Sequence, residues 1–215
     1  MSLLQRALLS RRVGRLVLEQ IDGIELVVLP EVFNPAVFRT SPLLLESIAE
    51  HVRSGTRVLD VGTGTGVAAI AACSVGAGHI VAIDVNPEAV RCARMNALLN
   101  HVDDRIDVRH GDLFEPAVGE RFDAVLCNPP FFRGQPSSAL DAAWRSEDFL
   151  TRFGEGLGDM LAPDGFALIV FSNHADERGL TSALAGTGWQ TRAERTRDLG
   201  NEVITVYRVS RGALR

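Results

Sequence analysis

The stretch "LDVGTGTGVAAIA", residues 59–71, decides how this chain folds. With "TRV" before it, its first half is a short apolar run that reads as a buried strand. Its second half opens an apolar helix. Between them Gly62, Gly64 and Gly66 are spaced G-x-G-x-G. Glycine admits positive φ and lets a backbone approach a ligand closely. A second strand, "HIVAIDV", reaches Asp84, 22 positions after Gly62. That is near the spacing of about 20 at which a carboxylate meets ribose hydroxyls. Strand, glycine loop, helix and acid together predict a nucleoside-binding unit.

Reading outward from this unit extends the pattern. Upstream, "RLVLEQIDGIELVVLP" holds two β-rich runs around Asp22-Gly23, a hairpin signal. "SPLLLESIAEHVRSG" has helical spacing, with Pro42 near its start and Gly55 after its end. Downstream, "NPEAVRCARMNALLNH" is a helix that Asn86 can cap and Pro87 can open. "RIDVRHGD" and "FDAVLCN" are the third and fourth strands. A helix is expected over residues 146–161, ended by "APDG", before a fifth strand, "GFALIVFS". Residues 175–188 read as a helix, and "WQTRAERT" and "NEVITVYRVS" as two closing strands. Alternating strands and helices imply an α/β fold, a Rossmann-like doubly wound sheet of seven strands with helices on both faces. The closing pair has no helix between its strands, so the last strand is expected to run antiparallel.

Composition narrows the function. The 215 residues suffice for one α/β domain, and 46% hydrophobic with 23% charged residues is an ordinary globular balance. A net charge of −5 excludes a global basic footprint for nucleic acid. All 22 basic residues are arginine. Arg6, Arg11, Arg12 and Arg15 form a local basic run, either a solvated helix face or an approach surface for a flipped base. The N-terminus is broken by charge and does not read as a secretory signal, and no apolar run reaches membrane length. Cys73, Cys92 and Cys127 show no metal-ligand spacing and read as buried reduced thiols of a cytoplasmic protein.

The loop also selects its ligand. A dinucleotide loop usually reads G-x-G-x-x-G and rests a pyrophosphate on the helix N-terminus. Here the loop begins with Asp60, which would repel pyrophosphate but can hold a cationic amino-acid end. That favours S-adenosylmethionine over a dinucleotide. The expected cofactor set is Asp60, Gly62, Thr63, Gly64, Gly66, Asp84 and Val85. It continues with Asp112, placed to accept from the adenine amino group, Leu113, placed to pack on the ring, and Asn128.

"CNPPFFRG", residues 127–134, ends the fourth strand, since proline donates no ladder hydrogen bond. With "LDVGTGTG", "AIDVNPEAV" and "GDLF" in this order, it makes the chain resemble a class I S-adenosylmethionine-dependent methyltransferase of the Asn-Pro-Pro-aromatic type. The resemblance implies methylation of a planar nitrogen, with Asn128, Pro129, Pro130 and Phe131 as the catalytic set. The lone pair of such a nitrogen is delocalised and must be aimed at the methyl group. The Asn128 side-chain oxygen and the Pro129 carbonyl can each accept one of its N–H bonds, and positioning supplies much of the rate. Phe131 can stack on the planar acceptor.

Which nitrogen is methylated stays open at this level. "VFNPAVFRTSPLLLESI", "DAAW" and "RDLGNEVITVYRV" resemble short HemK-like release-factor glutamine methyltransferases. This implies a protein acceptor and leaves room for a small protein partner. "NPPFFRG" also resembles ribosomal RNA guanine-N2 methyltransferases. The open alternatives are an exocyclic amine of adenine or guanine in RNA or DNA, a small molecule, or cofactor binding without catalysis. Residues 1–40 are expected to form an extension over the active site of a methyltransferase domain at 41–215. The acceptor is expected to meet Phe33, Phe38, Thr40, Phe132 and Arg133.

Overall fold

A computed structural model describes residues 12–130, 132, 134–135, 137–138, 141, 143–173, 182 and 184–211. The chain opens with a hairpin of β1 (Val17–Ile21) and β2 (Ile24–Val28). Ile21 pairs directly with Ile24, and Asp22 and Gly23 both take positive φ, 49° and 82°. This is the two-residue turn that an Asp-Gly pair favours, because its twist matches that of the strands.

Then follow α1 (Thr40–His51), β3 (Arg57–Val61), α2 (Val67–Ser74), β4 (His79–Asp84), α3 (Pro87–Leu99), β5 (Ile106–His110) and β6 (Phe122–Cys127). The chain continues through α4 (Phe149–Met160), β7 (Leu161–Ser172), β8 (Gln190–Asp198) and β9 (Val203–Ser210). The seven strands after the hairpin form one sheet in the order β5-β4-β3-β6-β7-β9-β8. β9 runs antiparallel to both neighbours, β7 and β8. The order reverses beside β3: the chain steps outward through β4 and β5, then returns to β6 on the other side. Ligands of such sheets bind at this switch, outside the carboxyl ends of the strands.

Both faces are covered, which is why the central strands are continuously apolar. Val58, Ile80, Ala82, Ala124, Leu126, Leu168 and Val170 pack under α1, α2 and α3. Leu59, Val61, Val81, Ile83, Val125 and Ile169 meet Phe153 and Leu157 of α4 on the opposite face. The hairpin joins the first core through Ile21, Ile24, Leu26 and Val28. It is also tied to α3: the Val27 N–H donates to Asn96 Oδ1 at 2.8 Å, and Asn96 Nδ2 donates to the carbonyls of Val27 and Thr65 at 2.9 Å each. The predicted cap of α3 is present, with the Glu88 N–H on Asn86 Oδ1 at 2.9 Å.

Two expected boundaries move. α4 begins at Phe149, where the Phe149 N–H donates to the Ser146 hydroxyl at 3.2 Å, so Ser146 precedes the helix and does not open it. The helix stops at Met160, and "APDG" lies inside β7. Phe122 pairs with Leu161 and Ala124 with Phe166, so the intervening residues form an irregularity that absorbs Pro163. The helix expected over residues 175–188 lies largely outside the described residues, as do Arg6 and Arg11. Among the described residues no helix is long and apolar enough to cross a membrane. Cys73, Cys92 and Cys127 are buried and unpaired with one another.

Candidate active site

The carboxyl ends of β3, β4, β5 and β6 open into one cavity of about 360 Å³. Asp60, Gly62, Thr63, Gly64, Asp84, Val85, Asp112, Leu113, Asn128, Pro129 and Pro130, all expected site residues, line it. The sheet register explains the convergence: Val61 pairs with Ile83 and with Cys127, and Asp84 with His110, so the residues after each strand emerge side by side.

The glycine loop is fastened to β4. The N–H groups of Gly62 and Thr63 donate to the Ile83 carbonyl at 2.9 and 3.0 Å. The Gly64 N–H donates to Asp84 Oδ2 at 2.8 Å, and the Asn86 N–H to Oδ1 at 2.9 Å. Each Asp84 oxygen thus has one structural partner and a further acceptor position. Burial raises the Asp84 pKa against the pull of these donors. Gly66 does not line the cavity. A Cβ there would lie 3.2 Å from Ala93 Cα, so the absence of a side chain at Gly66 permits the close contact between α2 and α3.

Asp60 is only 3% exposed. Its Oδ2 accepts from the Thr63 hydroxyl at 2.6 Å. Burial, with Asp84 as a like-charged neighbour, pushes its pKa up to about 6 despite that hydrogen bond. Desolvation favours the neutral form of both carboxyls, and a cation placed beside either would favour its charged form. After β5, Leu113 adopts φ 50°, a left-handed conformation unusual for leucine, and Arg152 of α4 reaches Asp112 Oδ2 at 2.5 Å.

At the end of β6, Asn128 Nδ2 donates to the Thr40 hydroxyl at 3.4 Å. Thr40, at the start of α1, is buried and lies behind the cavity wall, so it touches Asn128 and not the cavity space. Above them Phe33, Phe38 and Trp144 form an aromatic triangle with ring centroids 4.9, 4.9 and 4.4 Å apart. Phe33 and Trp144 face the cavity; Phe38 backs them. Phe132, expected to meet the acceptor, is 40% exposed, with the Arg145 guanidinium 5.7 Å from its ring centroid. Its backbone pairs with Trp144 and Ser146. Phe131 and Arg133 lie outside the described residues. Sequence reasoning did not assign Trp144, Arg145 or Arg152 to the site. "DAAW" carries only a resemblance, and nothing local marks Arg152, whose partner Asp112 is 40 positions away.

The cavity's chemistry agrees with what the chain is similar to. Residues 37–129 match the family model of ribosomal protein L11 methyltransferase (PrmA). A Methanocaldococcus jannaschii protein, provisionally named protein N5-glutamine methyltransferase, is 34% identical over 179 residues, covering 80% of this chain and 87% of that one. The chain belongs to the class I S-adenosylmethionine-dependent methyltransferases. The ribosomal protein L11 methyltransferase of Pelotomaculum thermopropionicum is 40% identical over 115 residues, 54% of this chain; the match spans 35% of that longer enzyme. The fold also resembles that of the Thermus thermophilus 16S rRNA N2 G1207 methyltransferase in complex with AdoMet and guanosine. The TM-score is 0.65 at 23% identity, covering 92% of this chain and 50% of that one. The methyltransferase takes S-adenosylmethionine, a sulfonium with an ammonium at its amino-acid end and no phosphate. The acidic, glycine-walled cavity fits such a ligand.

Proposed function

We propose that this methyltransferase transfers the S-adenosylmethionine methyl group to a planar side-chain amide nitrogen of a protein, a glutamine in the manner of HemK-like enzymes. The observation that carries this reading is Asn128 at the end of β6. Its Nδ2 is engaged by Thr40, which leaves Oδ1 to accept from the substrate, and Pro129 and Pro130 stiffen the segment that bears it. An acceptor NH2 held by Asn128 Oδ1 and the Pro129 carbonyl directs its lone pair out of the amide plane at the methyl carbon. The N–C bond forms as the S–C bond breaks, S-adenosylhomocysteine leaves, and the cationic nitrogen releases its proton to water. No strong base is needed.

The same reading gives Asp84 to the ribose hydroxyls, Asp60 to the cationic amino-acid end, and Asp112 with Leu113 to the adenine. Residues 1–40 act as a cover that carries Phe33 to the acceptor, and Phe131 and Arg133 belong to the acceptor side. Charge favours a protein over a nucleic acid. Among the described lining residues, Glu31, Asp60, Asp84, Asp112, Glu147 and Asp148 outnumber Arg145 and Arg152. Both arginines are already paired, with Asp141 at 3.3 Å and with Asp112. Arg12, a candidate for a basic rim, is instead paired with Glu19. A polyanion would meet repulsion here.

The test is methyl transfer from tritiated cofactor to a lysate split into protein, RNA and small-molecule fractions. An Asn128→Ala enzyme serves as the control. Label in protein, recovered as N5-methylglutamine by mass spectrometry and lost with Asn128→Ala, supports the proposal. Label confined to RNA or to small molecules overturns it.

A further inference from the structure

We infer that Arg152 is a positioning residue for the adenine end of the cofactor, holding one oxygen of Asp112 so that the other faces the 6-amino group. The inference rests on the assignment of Asp112 to adenine proposed above.

Asp112 sits on a turn, and its side chain is 41% exposed. A carboxylate in that setting can rotate freely, and a freely rotating acceptor discriminates poorly between a donor and an acceptor on the base. Arg152 removes that freedom. Its Nη2 meets Oδ2 of Asp112 at 2.5 Å, a contact to one oxygen. Oδ1 has no hydrogen-bond partner among the described residues. Arg152 Nη1 lies 3.8 Å from Asp148 Oδ1, so the guanidinium is held between two carboxylates. Both Arg152 and Asp112 line the cavity.

The helix behind Arg152 is registered to the same turn. A Cβ on Gly156, one helical turn beyond Arg152, would lie 2.6 Å from Phe114 Cδ2. Phe114 follows Asp112 and Leu113 directly, and its ring centroid is 5.4 Å from that of Phe153. Phe153 and Leu157 are fully buried in the core below. The turn that carries the carboxylate and the helix that carries the guanidinium are therefore packed against each other, and the ion pair spans two elements of fixed separation. A charge-assisted pair in such a frame gives direction as well as attraction.

Two probes that differ only at the base test this on the full chain by calorimetry: S-adenosylhomocysteine, with a 6-amino group, and S-inosylhomocysteine, with a 6-oxo group. Their amino-acid ends are identical, so a general loss of positive charge cancels in the ratio. The parent protein should prefer the adenosyl probe by about tenfold or more, since a site that accepts from an N–H rejects an analogue lacking it. Arg152→Gln and Arg152→Ala should weaken the adenosyl probe several-fold and leave the inosyl probe unchanged. Arg152→Lys should recover part of the ratio. Equal weakening of both probes would reduce Arg152 to a structural role, and tighter binding would make the pair a gate over the adenine site; either result overturns the inference. Asp112→Asn separates the two levels. If it leaves the ratio intact, the adenine assignment falls and the inference with it. If it collapses the ratio while the Arg152 variants keep it, the inference alone falls.

Discussion

Asp60 is a carboxyl buried against its own charge. Its folded pKa of about 6 stands above the ordinary 3.8, so the folded state retains a proton that the unfolded chain gives up. The resulting stabilisation is fully present below about pH 4 and is lost as pH rises through about 6, amounting to about 3 kcal/mol for this fully buried group. Asp60→Asn should therefore raise the melting temperature of the ligand-free protein at neutral pH and change it little at about pH 4, by calorimetry. A cation bound beside Asp60 reverses the shift. S-adenosylmethionine affinity should strengthen as pH rises through about 6 in the parent and stay flat across that window in Asp60→Asn. A parent affinity that is also flat would remove Asp60 from the cationic end. Thr40 sets the second residue-scale test. Thr40→Val keeps the shape and deletes the acceptor for Asn128 Nδ2, freeing the amide to turn. Turnover should fall about tenfold with cofactor affinity within a few-fold, and Thr40→Ser should restore it. Equal loss of affinity and turnover would mark Thr40 as a packing residue only.

The contact between α2 and α3 gives a motif glycine a packing role that can be separated from a ligand role by experiment. Gly66 precedes α2 with φ 82°, and a Cβ there would meet the Ala93 backbone at 3.2 Å. Gly66→Ala should cost about 1–2 kcal/mol for the left-handed backbone, plus whatever α3 must yield. The loss should appear in the urea midpoint, with the cofactor affinity of the folded fraction little changed. Unchanged stability with lost affinity would return Gly66 to the ligand set. Spacing alone could not make this distinction, because G-x-G-x-G looks the same whether a glycine answers to a ligand or to a helix. What the sequence made legible was local: the hairpin turn, the Asn86 cap, the loop between β3 and α2, and the acids at strand ends. Through-space partners were not legible. Thr40 meets Asn128 across 88 positions and Arg152 meets Asp112 across 40. The start of α4 depended on the hydrogen bond from the Phe149 N–H to the Ser146 hydroxyl, and the irregularity in β7 on the register of β6, neither of which periodicity encodes.

At the scale of the whole molecule, the hairpin, the first core and the roof of the cavity form one mechanical path. The hairpin buries Ile21, Ile24, Leu26 and Val28 against α1–α3, while the segment after it delivers Phe33 and Phe38 to Trp144. Burying four such side chains contributes about 1.5–3 kcal/mol each, which approaches the roughly 5–15 kcal/mol of a whole domain. Removing the hairpin would also leave the fully buried Asn96 without its Val27 partners. Deleting residues 1–31 should therefore abolish the cooperative thermal transition as well as activity, so it cannot report on what the cover does to the acceptor. Point changes at the roof can. Phe33→Ala and Trp144→Ala each remove aromatic contacts worth about 0.5–1.5 kcal/mol per pair, a small share of the total. These variants should melt within several degrees of the parent and bind S-adenosylhomocysteine within a few-fold. Methyl transfer to the acceptor that the labelling experiment identifies should drop at least about tenfold, with most of the change in KM if the roof mainly grips the acceptor and in kcat if it mainly excludes water. Full transfer by Trp144→Ala, or a folded and cofactor-binding deletion of residues 1–31, would show that the roof and the hairpin act independently.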